Sequence, residues 1–296
     1  MRFLIITLAL AMSTVPTIAA DPPGIVAEGA KVEKLSGGFG FTEGCASDAV
    51  GNVYFTDQPN DRIHKWGVDG KLTTFMEGTG RSNGLCVEKG TIWACADEKN
   101  ELWKIDINTK KVTVVVKEYD GKLLSGPNDV WVRPDGGAYF TDPFYKRAYW
   151  KRDKEEQDKR AVYYVSPAGK VSRVDADFTQ PNGIVGTPDG KTLYASDIKA
   201  GKTYSYAIQE DGSLKDRKLF CSVGSDGMTL DDQGNIYLTS GVVHVIDKHG
   251  KFVAKIAVPE GPSNVCFGGK DQSTLFITAR TGLYAVKTTV KGVGSQ

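Results

Sequence analysis

Six times along the 296 residues a short phrase returns, and each time it opens on a side chain that carries a carboxylate or a carboxamide. The phrases begin at Glu43-Gly44, Asn83-Gly84, Asn128-Asp129, Asn182-Gly183, Asp226-Gly227 and Asn264-Val265, spaced by 40, 45, 54, 44 and 38 residues. A period of that size is the length of a four-stranded propeller blade. A single blade cannot bury its own apolar faces, so the units must stack side by side around an axis. The repeat therefore predicts an all-β chain folded as a six-bladed β-propeller.

Alternation and turn residues divide each unit into four strands. In the first unit these are 44–47, 53–56, 62–66 and 71–76, with Asp69-Gly70 at the last hairpin. The sixth unit supplies three strands and then runs out. Residues 30–35 (AKVEKL) carry the pattern of the missing outer strand and precede the first unit, so the N-terminal strand is expected to close the ring. Closure of that kind removes an exposed sheet edge. One unit is longer than the rest: PFYKRAYWKRDKEEQDKR, residues 143–160, interrupts the step from its second strand to its third. A loop of that length in a compact domain reads either as a lid or as a solvated charged arm.

The start of the chain reads differently. Arg2 precedes a largely apolar stretch at residues 3–12, too short to span a bilayer, and small residues follow up to Ala20. That is the pattern of a secretory signal peptide at 1–20, followed by one propeller domain at 21–296. The expected location is secreted or periplasmic, with no membrane contact in the mature form. Removing the leader takes away one Arg and no acid, leaving basic and acidic residues equal in number. With no basic tract there is no case for nucleic acid, and a monomer is expected. Five cysteines, at 45, 86, 95, 221 and 266, form neither a disulfide framework nor a zinc motif. Cys86 and Cys95 share a hairpin, but a turn centred on Lys89-Gly90 sets Trp93 opposite Cys86, which favours buried thiols over a bridge.

In a propeller the first strand of each blade lines the channel, so Glu43, Asn83, Asn128, Asn182, Asp226 and Asn264 are expected to converge at one end of it. Two ionised carboxylates in a narrow space need a cation or much water, because an unpaired buried charge is costly. Carboxylate and carboxamide oxygens without sulfur or imidazole describe a hard cation: Ca²⁺ first, then Mg²⁺, Mn²⁺ or Zn²⁺. His64, His244 and His249 fall on third strands or a turn, off the ring. Asn-Gly and Asp-Gly are also ordinary turn residues, yet turn chemistry alone explains poorly why five of six equivalent sites hold Asn or Asp and the sixth Glu. Glu43, Asn128, Asn182 and Asp226 are therefore the expected metal set, while Asn83 and Asn264 stay open between ligand and turn residue. Asp57, Asp97, Asp142 and Asp197 recur at the ends of second strands, which assigns them to capping the turn that follows. Trp66, Trp93, Trp103 and Trp131 are expected to pack between blades.

FTEG, PNDV, PNGI, SDGM and CFGGKDQSTLFIT, in that order, resemble the blade openings of the SMP-30/gluconolactonase/luciferin-regenerating enzyme family, and the likeness covers nearly all of the chain after its leader. The resemblance implies a six-bladed propeller with one divalent cation, usually Ca²⁺, in its channel. It implies that Glu43, Asn182 and Asp226 hold the ion, that Asn128 is a ligand or a substrate contact, and that Asp226 is also the acid/base. It further implies hydrolysis of sugar lactones such as gluconolactone, other lactones and phosphotriesters being further substrates of the family. TDPFYKRAYWKR is similar to the insertion of bacterial gluconolactonase-type members, where it covers the site; Tyr145 and Arg147 are then expected to close over substrate. Cys45 departs from the Pro or Ala common in the family.

The reaction expected from this pattern is metal-assisted opening of a small sugar lactone, with the attacking water activated either by Asp226 or by the cation. Two other readings stand beside it. One is a non-catalytic periplasmic binding propeller with a structural Ca²⁺, and the other a phosphotriesterase-type hydrolase.

Overall fold

Runs of alternating residues between Gly-containing turns form six antiparallel four-stranded sheets in a computed structural model that describes residues 24–293. The expected leader at 1–20 lies outside the described residues. Blade 1 consists of Thr42–Ser47, Val53–Asp57, Arg62–Trp66 and Leu72–Glu77, and blades 2 to 5 repeat that order of pairing. Inner strands are buried on both faces and outer strands largely exposed: Pro181–Gly186 is buried throughout, whereas Leu214–Cys221 is mostly in solvent.

Six apolar clusters fill the junctions between neighbouring blades. Trp93 packs with Val130, Val132 and Phe140 between blades 2 and 3, and Trp103 with Tyr54 and Ile63 between blades 1 and 2. Trp66 and Trp131 sit at the edges of such clusters, so Trp66, Trp93, Trp103 and Trp131 all serve blade packing. Cys86 lies opposite Trp93 and is not bridged to Cys95.

The ring closes through the N-terminal strand, which pairs antiparallel with Gly282–Lys287 and completes blade 6. The strand is Glu33–Gly37, later than the expected 30–35. Ala30 and Val32 are used instead for packing on the core between blades 5 and 6, and Ala27 N–H donates to the Lys287 carbonyl at 3.0 Å as the chain approaches the ladder. The apolar alternation was real, but part of it serves the neighbouring core.

Glycine follows the ring residue in four of the six blades, and the packing shows why. A Cβ at Gly44 would lie 2.0 Å from the Asn83 carbonyl oxygen, and one at Gly227 2.1 Å from the Asn264 carboxamide carbon. Gly44 also has φ +48°, a conformation that penalises other residues. Gly44→Ala is therefore expected to destabilise by about 3 kcal/mol or more, since backbone strain and overpacking add. Equilibrium unfolding in urea measures it.

Candidate active site

Contacts between successive inner strands run from blade to blade around the channel. Thr56 Oγ1 donates to Asn83 O at 3.0 Å, Gly84 N to Asn128 O at 2.7 Å, and Ile184 N to Asp129 Oδ2 at 3.4 Å. Gly183 N donates to Ser225 O at 3.3 Å, Gly227 N to Ser263 O at 2.8 Å, and Ser263 Oγ to Thr42 O at 2.6 Å, which completes the circle. The residues that open the six first strands are thereby held at one level of the fold. Glu43, Asn83, Asn128, Asn182 and Asn264 are buried, and Asp226 is partly open to the channel.

Asn182 is the hinge of the arrangement. Its Nδ2 donates to Asp226 Oδ1 at 2.8 Å and to the Tyr145 hydroxyl at 2.9 Å. Its Oδ1 is buried and has no hydrogen-bond partner. A buried carbonyl oxygen left without a donor is uncommon and marks a place where an ion or other donor belongs. Beside it, burial holds the Glu43 carboxyl well above the usual carboxylate range, and the charges of Asp226 and Asp129 push the same way. Burial likewise raises Asp226 to about 6, against the Asn182 hydrogen bond and the charges of Arg147 and Arg280. Two acids that resist ionisation next to an orphaned carboxamide oxygen form a cation-deficient oxygen site. These three side chains fit a hard divalent ion, which takes carboxylate and amide oxygens. No group of three or more His, Cys, Asp or Glu suited to a metal occurs among the described residues, so the carboxamide is essential to any such set.

The 143–160 excursion is docked. It leaves at Asp142 and returns at Ala161, which still face each other in the ladder. Asp97, at the end of blade 2's second strand, anchors it: Oδ2 accepts from Arg147 Nε at 2.9 Å, from Gln58 Nε2 at 3.2 Å and from the Tyr149 hydroxyl. Trp150 Nε1 donates to the Asp97 carbonyl at 3.2 Å, and the indole lies so close over Gly126 that a Cβ there would be 2.8 Å from it. The segment thus presents Tyr145 and Arg147 to the channel, where both lie in the field of Glu43. Burial, then the charge of Asp226, raises the Tyr145 phenol to about 12, so it remains a proton donor near neutral pH.

The other recurrent aspartates differ from expectation in direction. Asp57 accepts from Gly40 N and Phe41 N, Asp142 from Ser125 N and Gly126 N, and Asp197 from Thr179 N and Gln180 N. They brace the loop entering their own blade's first strand more than the turn that follows, because that loop's amides have no ladder partner. The ring members also diverge. Asn264 Oδ1 turns back to accept from Val265 N at 2.8 Å, which takes it out of the convergent set. Asn83 and Asn128 hold their places through backbone carbonyls that receive neighbouring-blade donors. His64 is a buried strand residue packed against Phe39 and Phe55.

Three residues escaped sequence reasoning. Asp129 is buried, its Oδ1 accepting from Val130 N at 3.0 Å, and burial holds it well above its usual range. The signal was an acid standing where four blades have glycine. Arg280 bears on Asp226 from just past blade 6's second strand, one residue beyond Ala279, which stands where other blades have Asp or Ser. Asp97 was grouped with three look-alikes, and nothing local separated it from them.

Six four-stranded blades around a channel that gathers two acids, a carboxamide and a docked lid at one end define a propeller with a single axial site. The chain belongs to the SMP-30/Gluconolactonase/LRE-like family, whose model matches residues 41–281. It is 29% identical to a gluconolactonase of Zymomonas mobilis over 88% of this chain and 82% of that protein. Among solved structures, one described as a putative gluconolactonase superposes with a TM-score of 0.86 at 29% identity, covering 92% of this chain and 98% of the other. A gluconolactonase from Xanthomonas campestris gives 0.83 at 28% identity, covering 91% and 96%.

Proposed function

We propose that this chain is a carboxylic-ester hydrolase that opens a small sugar lactone of the gluconolactone type at the axial site. The observation that carries the reading is the buried, unpartnered Asn182 Oδ1 beside Asp226 and Tyr145. The names of the similar proteins favour the same chemistry. Glu43, Asn182 and Asp226 would hold the divalent ion, Ca²⁺ by donor type, with Asn128 as a further ligand or substrate contact. Bound there, such an ion polarises the lactone carbonyl and offsets charge on the developing oxyanion.

The protein's own groups do the rest. Asp226 orients the attacking water and takes its proton, returning it to the ring oxygen as the C–O bond breaks. Tyr145, still protonated, donates to a substrate oxygen, while Arg147 adds positive charge above the site. Asn83 and Asn128 offer carboxamides to sugar hydroxyls. The lid keeps bulk water from this cluster and strengthens each of these interactions. We place the mature protein outside the cytoplasm, on the strength of its leader-like start.

Assay of gluconolactone, an aryl ester and an organophosphate side by side, with and without Ca²⁺, tests the reading. Ca²⁺-dependent turnover of the lactone above the other two is expected; turnover of none sinks it. Since Asp97 holds Arg147 and Tyr149, Asp97→Ala is expected to raise KM for the lactone about 10-fold with a smaller fall in kcat, because misplaced binding groups weaken ground-state contacts first. Steady-state kinetics checks the split.

A further inference from the structure

Below the ring, the inner strands of blades 1 and 6 lie side by side and carry one cysteine each. Cys45 Sγ and Cys266 Sγ are 2.8 Å apart, both side chains buried at the wall of the channel, 5% and 7% exposed. Two sulfurs at that separation need approach by only about 0.8 Å to reach bonding distance, within the reach of small side-chain rotations. The other three cysteines show no sulfur contact of this kind among the described residues.

The location gives the pair a job. Blade 6 is closed by Glu33–Gly37, held to Gly282–Lys287 by backbone pairing, by Leu35 packing on the core between blades 6 and 1, and by Lys34 Nζ donating to Glu260 Oε1 at 2.8 Å, and the same strand leads directly into blade 1. With that strand peeled away, blade 6 and blade 1 would be joined only by non-covalent contacts of their inner strands, such as Ser263 Oγ to Thr42 O and the shared apolar cluster. A covalent link between Cys45 and Cys266 spans the same seam at its inner edge, where the strand cannot.

We propose that Cys45 and Cys266 form a disulfide that staples the first blade to the last across the seam of the ring. The bond forms by thiol–disulfide exchange with a small-molecule or protein disulfide. One cysteine attacks the donor disulfide and releases one donor thiol; the second cysteine attacks the mixed disulfide and releases the other. One S–S bond breaks and one forms, two electrons pass from the cysteine pair to the donor, and the two thiol protons end on the released thiols. Burial of both sulfurs implies that the exchange takes place during folding, before the blades close over them, and that the finished bond resists reductants until the ring opens.

The test starts from reduced, denatured full-length protein, refolded with oxidised and reduced glutathione or with reduced glutathione alone. Each sample is then denatured, alkylated with N-ethylmaleimide and mapped by peptide mass. Refolding with oxidised glutathione is expected to leave three alkylated cysteines and one joined peptide pair containing Cys45 and Cys266. Its thermal midpoint should exceed that of the reduced protein by about 5 °C or more, since closing a loop of this length restricts the unfolded chain strongly. In Cys45→Ala the midpoint should no longer respond to glutathione. Five alkylated cysteines, a glutathione adduct on one cysteine, a bridge between Cys86 and Cys95, or a joined pair with an unchanged midpoint would each overturn the proposal.

Discussion

Asp226→Ala is expected to lower kcat/KM for a sugar lactone about 10³-fold or more, because a positioned acid/base and its share of charge stabilisation vanish together. The same change should leave the cation-free fold at least as stable as the parent at pH 8. Asp226 is raised to about 6 chiefly by burial, while in the unfolded chain it returns to the ordinary carboxylate range. Between roughly pH 4 and pH 6 the folded state therefore binds more protons than the unfolded one, and stability falls as pH rises through that window. Alanine removes both that penalty and the charge that Asp226 exerts on Glu43. Asn182 keeps its bond to Tyr145, so the loss of one hydrogen bond, about 1 kcal/mol, is the main cost. The expected signature is loss of turnover without loss of fold. Urea midpoints of chelated protein should favour the variant at pH 8, and that advantage should be lost below about pH 4, where only the missing hydrogen bond remains. A variant that keeps its rate, or that unfolds more easily than the parent at pH 8, would give Asp226 a structural role instead.

The architecture could be read from the sequence because a propeller repeats its constraints. Each first strand needs a polar opener at the channel, a small residue where the next blade passes close, and a turn at a fixed distance. Gly44, Gly84, Gly183 and Gly227 all meet a neighbouring blade's backbone or carboxamide within 2.7 Å of a notional Cβ. Periodicity therefore located the ring, and counting outer strands located the closure. What repetition could not reveal is where equivalent positions part company. Asn264 and Asn182 share the same motif, yet one turns its oxygen onto its own backbone and the other leaves it bare beside Asp226. Asp97 shares its motif with Asp57, Asp142 and Asp197, yet Asp97 alone lies under the long insertion and so exchanges loop amides for Arg147 and Tyr149. These differences arise from contacts between residues some 50 positions apart, such as Asp97 with Arg147 and Tyr149. No local pattern encodes them. Asp129 was hidden for the same reason: its partner Ile184 N lies in the next blade.

Chelation should abolish lactone turnover, and Ca²⁺ added back should restore it, with a pH dependence that identifies the ligands. Without an ion the site holds two acids that burial keeps above their ordinary range, and an amide oxygen with nothing to accept from. Ionising both acids there is unfavourable until positive charge arrives, so ion binding and proton loss are linked. Affinity should accordingly rise with pH as Asp226 passes through about 6 and as Glu43, held by burial above its usual range, releases its proton. At an ion concentration about 100 times the dissociation constant the gain in stability is about 2.7 kcal/mol, or on the order of 5 °C in thermal midpoint for a chain of this size. That increment should grow as pH rises through about 6 and be smallest near pH 4. Calorimetric titration at pH 7 in buffers of different ionisation enthalpy should register protons released on binding, and Glu43→Gln should reduce their number. An axial set without Glu43 and Asp226 predicts no such release. Equal midpoints with and without Ca²⁺ at pH 8, together with full turnover in chelator, would remove the ion from the scheme and leave Asp226, Tyr145 and Arg147 to account for the chemistry by themselves.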